Sequence, residues 1–327
     1  MKATVQFEGT RSEEFQIRRG VKQGCVLAPT LFGIFFSALL RRAFPDDSGI
    51  LLHTRSSGKL FNLARLRAKT KVRHVIVREL LYADDAAFVA HSEADLQLLC
   101  SSFAAACLEF GLQISLEKTV ILAQPATLNP TVYINNTLLS VVDKFTYLGS
   151  TVSNNNNLDA ELDMRIGRAS SVFGKLSKRV WHNKNLSLLL KVRVYHACVL
   201  STLLYASETW TTDRRHEHRL NAFHFHCLRS ILGVCWKDHV PNSVILERTG
   251  SSDLYTILRE RHLRWTGHIY RMNDTRLPKI LLYGELANAP RKQGRPHLRF
   301  KDAIKRDLQA FSINLDNSPL AKPHPRI

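Results

Sequence analysis

An α+β fold is what the sequence predicts, and three observations predict it. Strand-like and helix-like segments alternate through about the first 150 residues in a hairpin-plus-helix manner. After Asn154-Asn155-Asn156-Asn157 the apolar residues switch to helical spacing. Positive charge then accumulates: residues 1–159 hold 17 basic and 14 acidic side chains, net +3, whereas residues 160–327 hold 29 and 14, net +15. A length of 327 residues suits about two domains, and 45% hydrophobic with 23% charged residues excludes a mostly disordered chain. The total of +18 points to a polyanionic partner, nucleic acid first.

The elements follow in order. Val5 and Phe7, then Phe15 and Ile17, alternate as strands and lead into the segment Gly20 to Pro29. Pro29 fits the first turn of a helix, where its missing N–H would be unpaired in any case. Leu31, Phe32, Phe35, Ala38 and Leu39 then give that helix one apolar stripe. Residues 59–78 carry Lys59, Arg65, Arg67, Lys69, Lys71, Arg73 and Arg78 without an acid, either a solvated basic loop or a nucleic-acid contact. Two apolar strands, Val75 to Leu81 and Ala86 to Ala90, flank the tight acidic turn Tyr82-Ala83-Asp84-Asp85. Ser92 with Asp95 forms a capping box for a helix whose Leu96, Leu99, Phe103, Cys107 and Phe110 repeat until Gly111 closes it.

Leu112 to Leu116 alternates like a strand, and Phe145 to Gly149 suggests another strand pair. Leu158, Leu162, Ile166, Ala169, Phe173, Leu176 and Val180 step by threes and fours, a long helix. Further helices are expected at roughly 187–206 and 213–232, and a basic helix carries Leu254, Leu258, Trp265 and Ile269. Asn314 to Ile327 reads as a loose tail. Cys25, Cys100, Cys107, Cys198, Cys227 and Cys235 lack disulfide-framework spacing and read as free thiols. No signal-like h-region opens the chain and no run of 18 apolar residues occurs, so a protein that is neither secreted nor membrane-spanning is expected, nuclear or cytoplasmic.

Asp84-Asp85 is the sharpest site-like feature. Burying adjacent carboxylates costs several kcal/mol unless a cation compensates, while a type I′ turn accepts Asp with no function at all. The order of motifs changes the odds: Gly-x-x-Gln-Gly before a Pro-started helix, the acidic hairpin, Gly-Leu-x-Ile-x-x-x-Lys-Thr, then Phe-x-Tyr-Leu-Gly. In these residues the sequence resembles the reverse transcriptase of non-LTR retrotransposons (LINE-like elements), over most of the chain, as a C-terminal part from the mid-palm onward.

That resemblance implies a partial polymerase palm at residues 1–153, an antiparallel sheet with packed helices. It implies an all-helical thumb-like region at 154–235 and a basic helical C-terminal extension at 236–327. It implies RNA-directed DNA synthesis at a primer 3′-OH on an RNA template, with Gln23, Gly24, Tyr82 and Lys118 contacting nucleotide or template. Asp84 and Asp85 would be catalytic, Asp84 as a metal ligand, and Phe145, Tyr147, Leu148 and Gly149 would form the primer grip. Such chemistry uses two Mg²⁺ ions roughly 3.5 to 4 Å apart, on which several carboxylates must converge. Neighbouring strand residues point to opposite faces, so a further aspartate from another strand is required. The family places it on a strand before Gly20, where the acids of this chain are Glu8, Glu13 and Glu14. The expectation is an incomplete two-metal site, a chain that does not polymerise alone, and partners in upstream polymerase or endonuclease segments of a parent polypeptide.

Other cues are weaker. His224, His226, Cys227, Cys235 and His239 lack zinc-knuckle spacing, and Cys227 reads as core with Leu220, Phe223 and Ile231. Arg259, Arg261, Arg264 and Arg271 surround Trp265 and Tyr270, equally a solvated face or a nucleic-acid contact. Arg291, Lys292, Arg295, Arg299 and Lys301, with Lys305 and Arg306, favour nucleic-acid contact. The alternatives to a polymerase module are a non-catalytic RNA- or DNA-binding protein built on the thumb and basic extension, and an unselected element remnant.

Overall fold

The computed structural model describes residues 2–16, 20, 24–44, 49–68, 70–125, 127–287 and 298–313. About 50% is helix and 16% strand in small sheets, so the mixed α+β class expected from the alternation is the one that forms. In chain order come β1 (Lys2–Ala3), β2 (Gln6–Phe7), β3 (Thr10–Arg11), β4 (Phe15–Gln16), α1 (Ala28–Ala43), β5 (Ile50–Thr54), β6 (Arg73–Val77), β7 (Glu79–Tyr82), β8 (Asp85–Phe88) and α2 (Glu93–Glu109). Short strands follow: β9 (Val120–Ile121), β10 (Tyr133–Ile134), β11 (Thr137–Leu138), β12 (Ser140–Val141), β13 (Lys144–Tyr147) and β14 (Ser150–Ser153). The remainder is α3 (Asp159–Leu176), α4 (Leu188–Val194), α5 (Ser201–Leu203), α6 (Arg214–Leu232), α7 (Asn242–Thr249), α8 (Leu254–Arg271), α9 (Leu277–Tyr283), β15 (Gly284–Leu286) and α10 (Phe300–Ala310).

Two compact units result, one from residues 1–49, 78–119 and 131–138, the other from 50–77, 120–130 and 139–327. In the first, α1 packs on α2 around Phe36, Leu39, Ala43, Phe44, Leu99, Phe103 and Cys107. Pro29 lies in the first turn of α1 as its missing N–H predicts. The buried face of α1 differs from the expected stripe: Phe36, Leu39 and Ala43 are inside, while Leu31, Phe32 and Phe35 are exposed. Periodicity could not choose a face because Leu31 to Leu40 is apolar nearly all round. Ser92 caps α2 by accepting from the Asp95 N–H at 3.1 Å, as expected. At the other end Gly111 (φ +71°) lets Leu112 N–H reach the Cys107 carbonyl at 2.8 Å and close the helix. Leu112 to Leu116 is not a strand: it runs from irregular backbone into the turn at 116–118, and Ile114 packs on the helix core instead of pairing.

In the second unit the whole predicted stripe of α3, Leu158 to Val180, meets Trp181, Tyr195, Val199, Leu203, Leu228 and Ile245 in one core. The helix widens into a π turn at Ser177–Trp181, where buried Trp181 donates its indole N–H to the Phe173 carbonyl at 2.8 Å. Strands β15, β5 and β6 form a three-stranded antiparallel sheet. Arg65, from the basic run at 59–78, is buried there and donates to the Arg55 and Tyr283 carbonyls, with its guanidinium over the Tyr283 ring. It holds the fold together and does not face a phosphate. Among the described residues no helix is long and apolar enough to cross a membrane.

Strands β13 and β14 form a hairpin closed by Leu148 (φ +49°) and Gly149 (φ +80°), both left-handed as a type I′ turn requires. A buried ion pair on α3 secures it. Arg165 Nε donates to Glu161 at 2.7 Å, both side chains being under 5% exposed. Glu161 also accepts the Thr151 N–H at 2.6 Å, and Arg165 donates to the Gly149 carbonyl at 2.5 Å. Removing one partner leaves an unpaired buried charge, so Glu161→Gln and Arg165→Met are each expected to destabilise by about 3 to 5 kcal/mol, whereas the double variant Glu161→Leu/Arg165→Met recovers most of that loss. Urea denaturation of the three variants checks it.

The same core holds His224, fully buried. The Tyr195 hydroxyl donates to Nδ1 at 2.7 Å, and Nε2 faces the Ser252 carbonyl at 3.2 Å. The neutral ring is satisfied, and burial lowers its pKa from 6.5 to about 4. The unfolded chain therefore binds this proton more readily between those values. The group's stabilisation is complete above about pH 6.5, falls as pH drops, and is gone below about pH 4, roughly 3 kcal/mol in all. His224→Gln is expected to flatten the stability difference measured by urea denaturation between neutral pH and pH near 5.

Candidate functional site

The acidic hairpin is local in origin. Tyr82 pairs with Asp85 at the end of the β7–β8 ladder, leaving Ala83 and Asp84 as a two-residue loop. Ala83 takes φ +52°, a left-handed conformation that costs a residue with a Cβ about 1 kcal/mol or more. Asp84 is not left-handed, so the loop is not the type I′ turn considered for it from sequence. The root of the hairpin is fixed: Phe88 meets the Phe103 ring at 4.8 Å and the Phe44 ring at 5.4 Å, and Arg78 lies over Phe44 while pairing with Glu79 at 2.7 Å. Its tip is free. Tyr82, Asp84 and Asp85 are all exposed, Tyr82 at 65%.

Two adjacent carboxylates in water need no cation to exist there, and both keep their oxygens available to one. Among the described residues, however, no group of three His, Cys, Asp or Glu side chains lies together as a metal site. Gly24 lies in the turn before α1 with φ +81°, and Lys118 is exposed in the turn at 116–118. Gln23 lies outside the described residues.

The Phe145 to Gly149 hairpin belongs to the second unit. Phe145 and Tyr147 lie on one strand face with ring centroids 6.1 Å apart, and Leu148 is exposed at the tip. The sequence reading missed what stands behind it. Arg165 lies over the Tyr205 ring at 4.5 Å, and the Tyr205 hydroxyl donates to the Leu148 carbonyl at 3.1 Å. The Glu161/Arg165 spacing of four on a helix was the available signal.

The basic extension divides. Arg291, Lys292 and Arg295 lie outside the described residues. Lys301 does not take the nucleic-acid role expected of it: it is buried, donating at 2.8 Å to the Gly284 carbonyl and at 2.9 Å to Glu285, and burial lowers its pKa despite that carboxylate. An ammonium so enclosed cannot reach a phosphate. Arg299 is half-buried and grips Glu285 through one nitrogen at 2.8 and 2.9 Å. A run of like charges in sequence carries no sign of a single acid supplied from a strand some fifteen residues earlier. His224 and Cys227 pack in the core, both ring nitrogens of the former engaged and the latter fully buried with its thiol pushed up to about 12.

Comparison with known proteins agrees with the motif order. Residues 1–152 match the family model described as reverse transcriptase (RNA-dependent DNA polymerase). The chain is 26% identical over 237 residues to an uncharacterized transposon-derived protein of Caenorhabditis elegans, covering 70% of this chain and 84% of that protein. It is 28% identical over 251 residues to the RNA-directed DNA polymerase from mobile element jockey of Drosophila funebris, covering 72% of this chain. The match spans 24% of that polymerase's length.

Proposed function

We propose that this chain is a reverse transcriptase module of a non-LTR retrotransposon, handling an RNA template and a DNA primer, with the palm at residues 1–153 and thumb-like helices at 154–235. The reading is carried by the acidic hairpin: a packed root, a strained two-residue loop and two exposed carboxylates, inside the segment that matches the reverse transcriptase model. In this reading Asp84 and Asp85 stand at the reacting end. Tyr82, Gly24, Gln23 and Lys118 would contact nucleotide or template, and the Phe145 to Gly149 hairpin would steady the primer. Mg²⁺, when bound, would neutralise charge on the departing pyrophosphate. A two-ion site would need a further carboxylate beside these two.

A non-catalytic nucleic-acid-binding role is the second reading, favoured by the net +15 of residues 160–327. One experiment separates them. Primer extension on an RNA template with Mg²⁺ is measured for the chain alone and with an upstream fingers-and-palm segment of a related element added in trans. Extension is expected only in the mixture, and Asp84→Ala should lower it by about a hundredfold or more, the rate equivalent of several kcal/mol of charge stabilisation. Because Asp84 is exposed, the same substitution should change stability by no more than about 0.5 kcal/mol. Binding of primer–template without extension in any mixture would favour the second reading, and vigorous extension by the chain alone would overturn the incompleteness of its site.

A further inference from the structure

The cluster of arginines around Trp265 and Tyr270 looks like one patch in sequence, and the fold splits it into two faces of α8. On one face Arg259 turns toward Asp307 on α10, 3.6 Å away, and Tyr270 lines an apolar cavity with Leu308, the Lys279 ammonium 6.0 Å from its ring. Arg261, Arg264, Trp265, His268 and Arg271 remain, at helical spacing along a single stripe about 15 Å long. With Glu208 and Thr209 they line an open cavity of about 700 Å³.

The polar groups of that cavity are not equivalent. Arg261 donates to the Leu204 carbonyl at 3.0 Å and to Glu208 at 2.9 Å, so the acid in the wall is neutralised from within and the wall is held in place. Arg264 and Arg271 are exposed and, among the described residues, have neither a hydrogen-bond nor an ion-pair partner. Trp265 is half-buried. It packs on the cluster of Leu60, Ile269, Leu282 and Ile304, while its ring borders the cavity 5.4 Å from His268 at an angle of 30°. A large flat ring held from behind, sharing a cavity with two unpaired guanidinium groups, is what stacking on a base and contacting its backbone require.

We propose that this cavity binds single-stranded nucleic acid, one base stacking on Trp265 beside His268 and separate backbone phosphates meeting Arg264 and Arg271. Seven residues place the Cα atoms of the two arginines about 10 Å apart along the helix, and the tryptophan ring on the same cavity wall offers a stacking surface that a free anion does not use, so the ligand is a strand. A duplex hides its base faces and cannot use the tryptophan. The site rests on the nucleic-acid-handling reading of the chain but not on catalysis, and it holds whether or not the acidic hairpin supports polymerisation.

The test is fluorescence anisotropy of labelled single-stranded RNA of about 12 nucleotides, and of the matching duplex, titrated with the full chain. Trp265→Ala is expected to weaken single-strand binding roughly five- to 150-fold and Trp265→Phe much less, with duplex binding unchanged. Arg264→Gln/Arg271→Gln should reduce the slope of log affinity against log salt by about 1.4, the release expected for two phosphates on a single strand. Equal weakening of single strand and duplex, or wild-type single-strand affinity in Trp265→Ala, overturns the site. If Trp265→Ala fails to fold, the double arginine variant decides, because both positions are exposed: an unchanged affinity and salt slope overturns the site. Absence of any binding by the unaltered chain would sink the nucleic-acid reading itself, whereas binding that ignores all three variants would sink this site alone.

Discussion

Much of the second unit depends on two opposite charges held out of water. Glu161 and Arg165 face each other across one helical turn, each nearly inaccessible, and every further hydrogen bond they make goes to the hairpin at 144–153. A two-stranded hairpin in water is marginal at best. This one is tied at the Thr151 N–H, at the Gly149 carbonyl and, through Tyr205, at the Leu148 carbonyl. Buried pairs contribute little net stability because desolvation nearly cancels their attraction, but they make misregistered arrangements costly. A one-residue slip of the hairpin would strand both charges. The pair thus fixes where Phe145, Tyr147 and the tip lie relative to α3.

The same accounting changes the meaning of the net charge. A total of +18 invites the image of a phosphate-binding surface. Yet Arg65, Arg165 and Lys301 are buried and bonded to backbone carbonyls or carboxylates, Arg299 grips Glu285, and Arg261 is tied to Glu208. These cations do structural work in places where a neutral side chain would leave carbonyls unsatisfied. What is left for a polyanion is a subset chosen by the fold, and helix face decides it more than sequence density does.

What was legible beforehand follows from range. The capped helix α2, with Ser92 at one end and Gly111 at the other, is written in residues a few positions apart, as is the seven-position stripe of α3. The acidic hairpin was legible for the same reason, and so was its family likeness, because motif order survives without any knowledge of packing. The inward face of α1 was not, since aromatic and aliphatic residues surround that helix and only tertiary contact chooses among them. Nor was the role of Lys301 or Arg65, whose partners come from residues remote in sequence. Leu112 to Leu116 shows the limit from the other side: alternation without a pairing partner makes no strand.

The sheet formed by β15, β5 and β6 has a temporal consequence. Its outer strand, Gly284–Leu286, pairs with residues 52–54, which leave the ribosome some 230 positions earlier. At ordinary elongation rates of about 5 to 20 residues per second, the edge of β5 waits roughly ten to fifty seconds for its cover. During synthesis that edge is an open template for foreign strands. A nascent chain is thus most vulnerable to misassembly between synthesis of β5 and synthesis of β15, and a message stopped before Gly284 would make the vulnerability permanent.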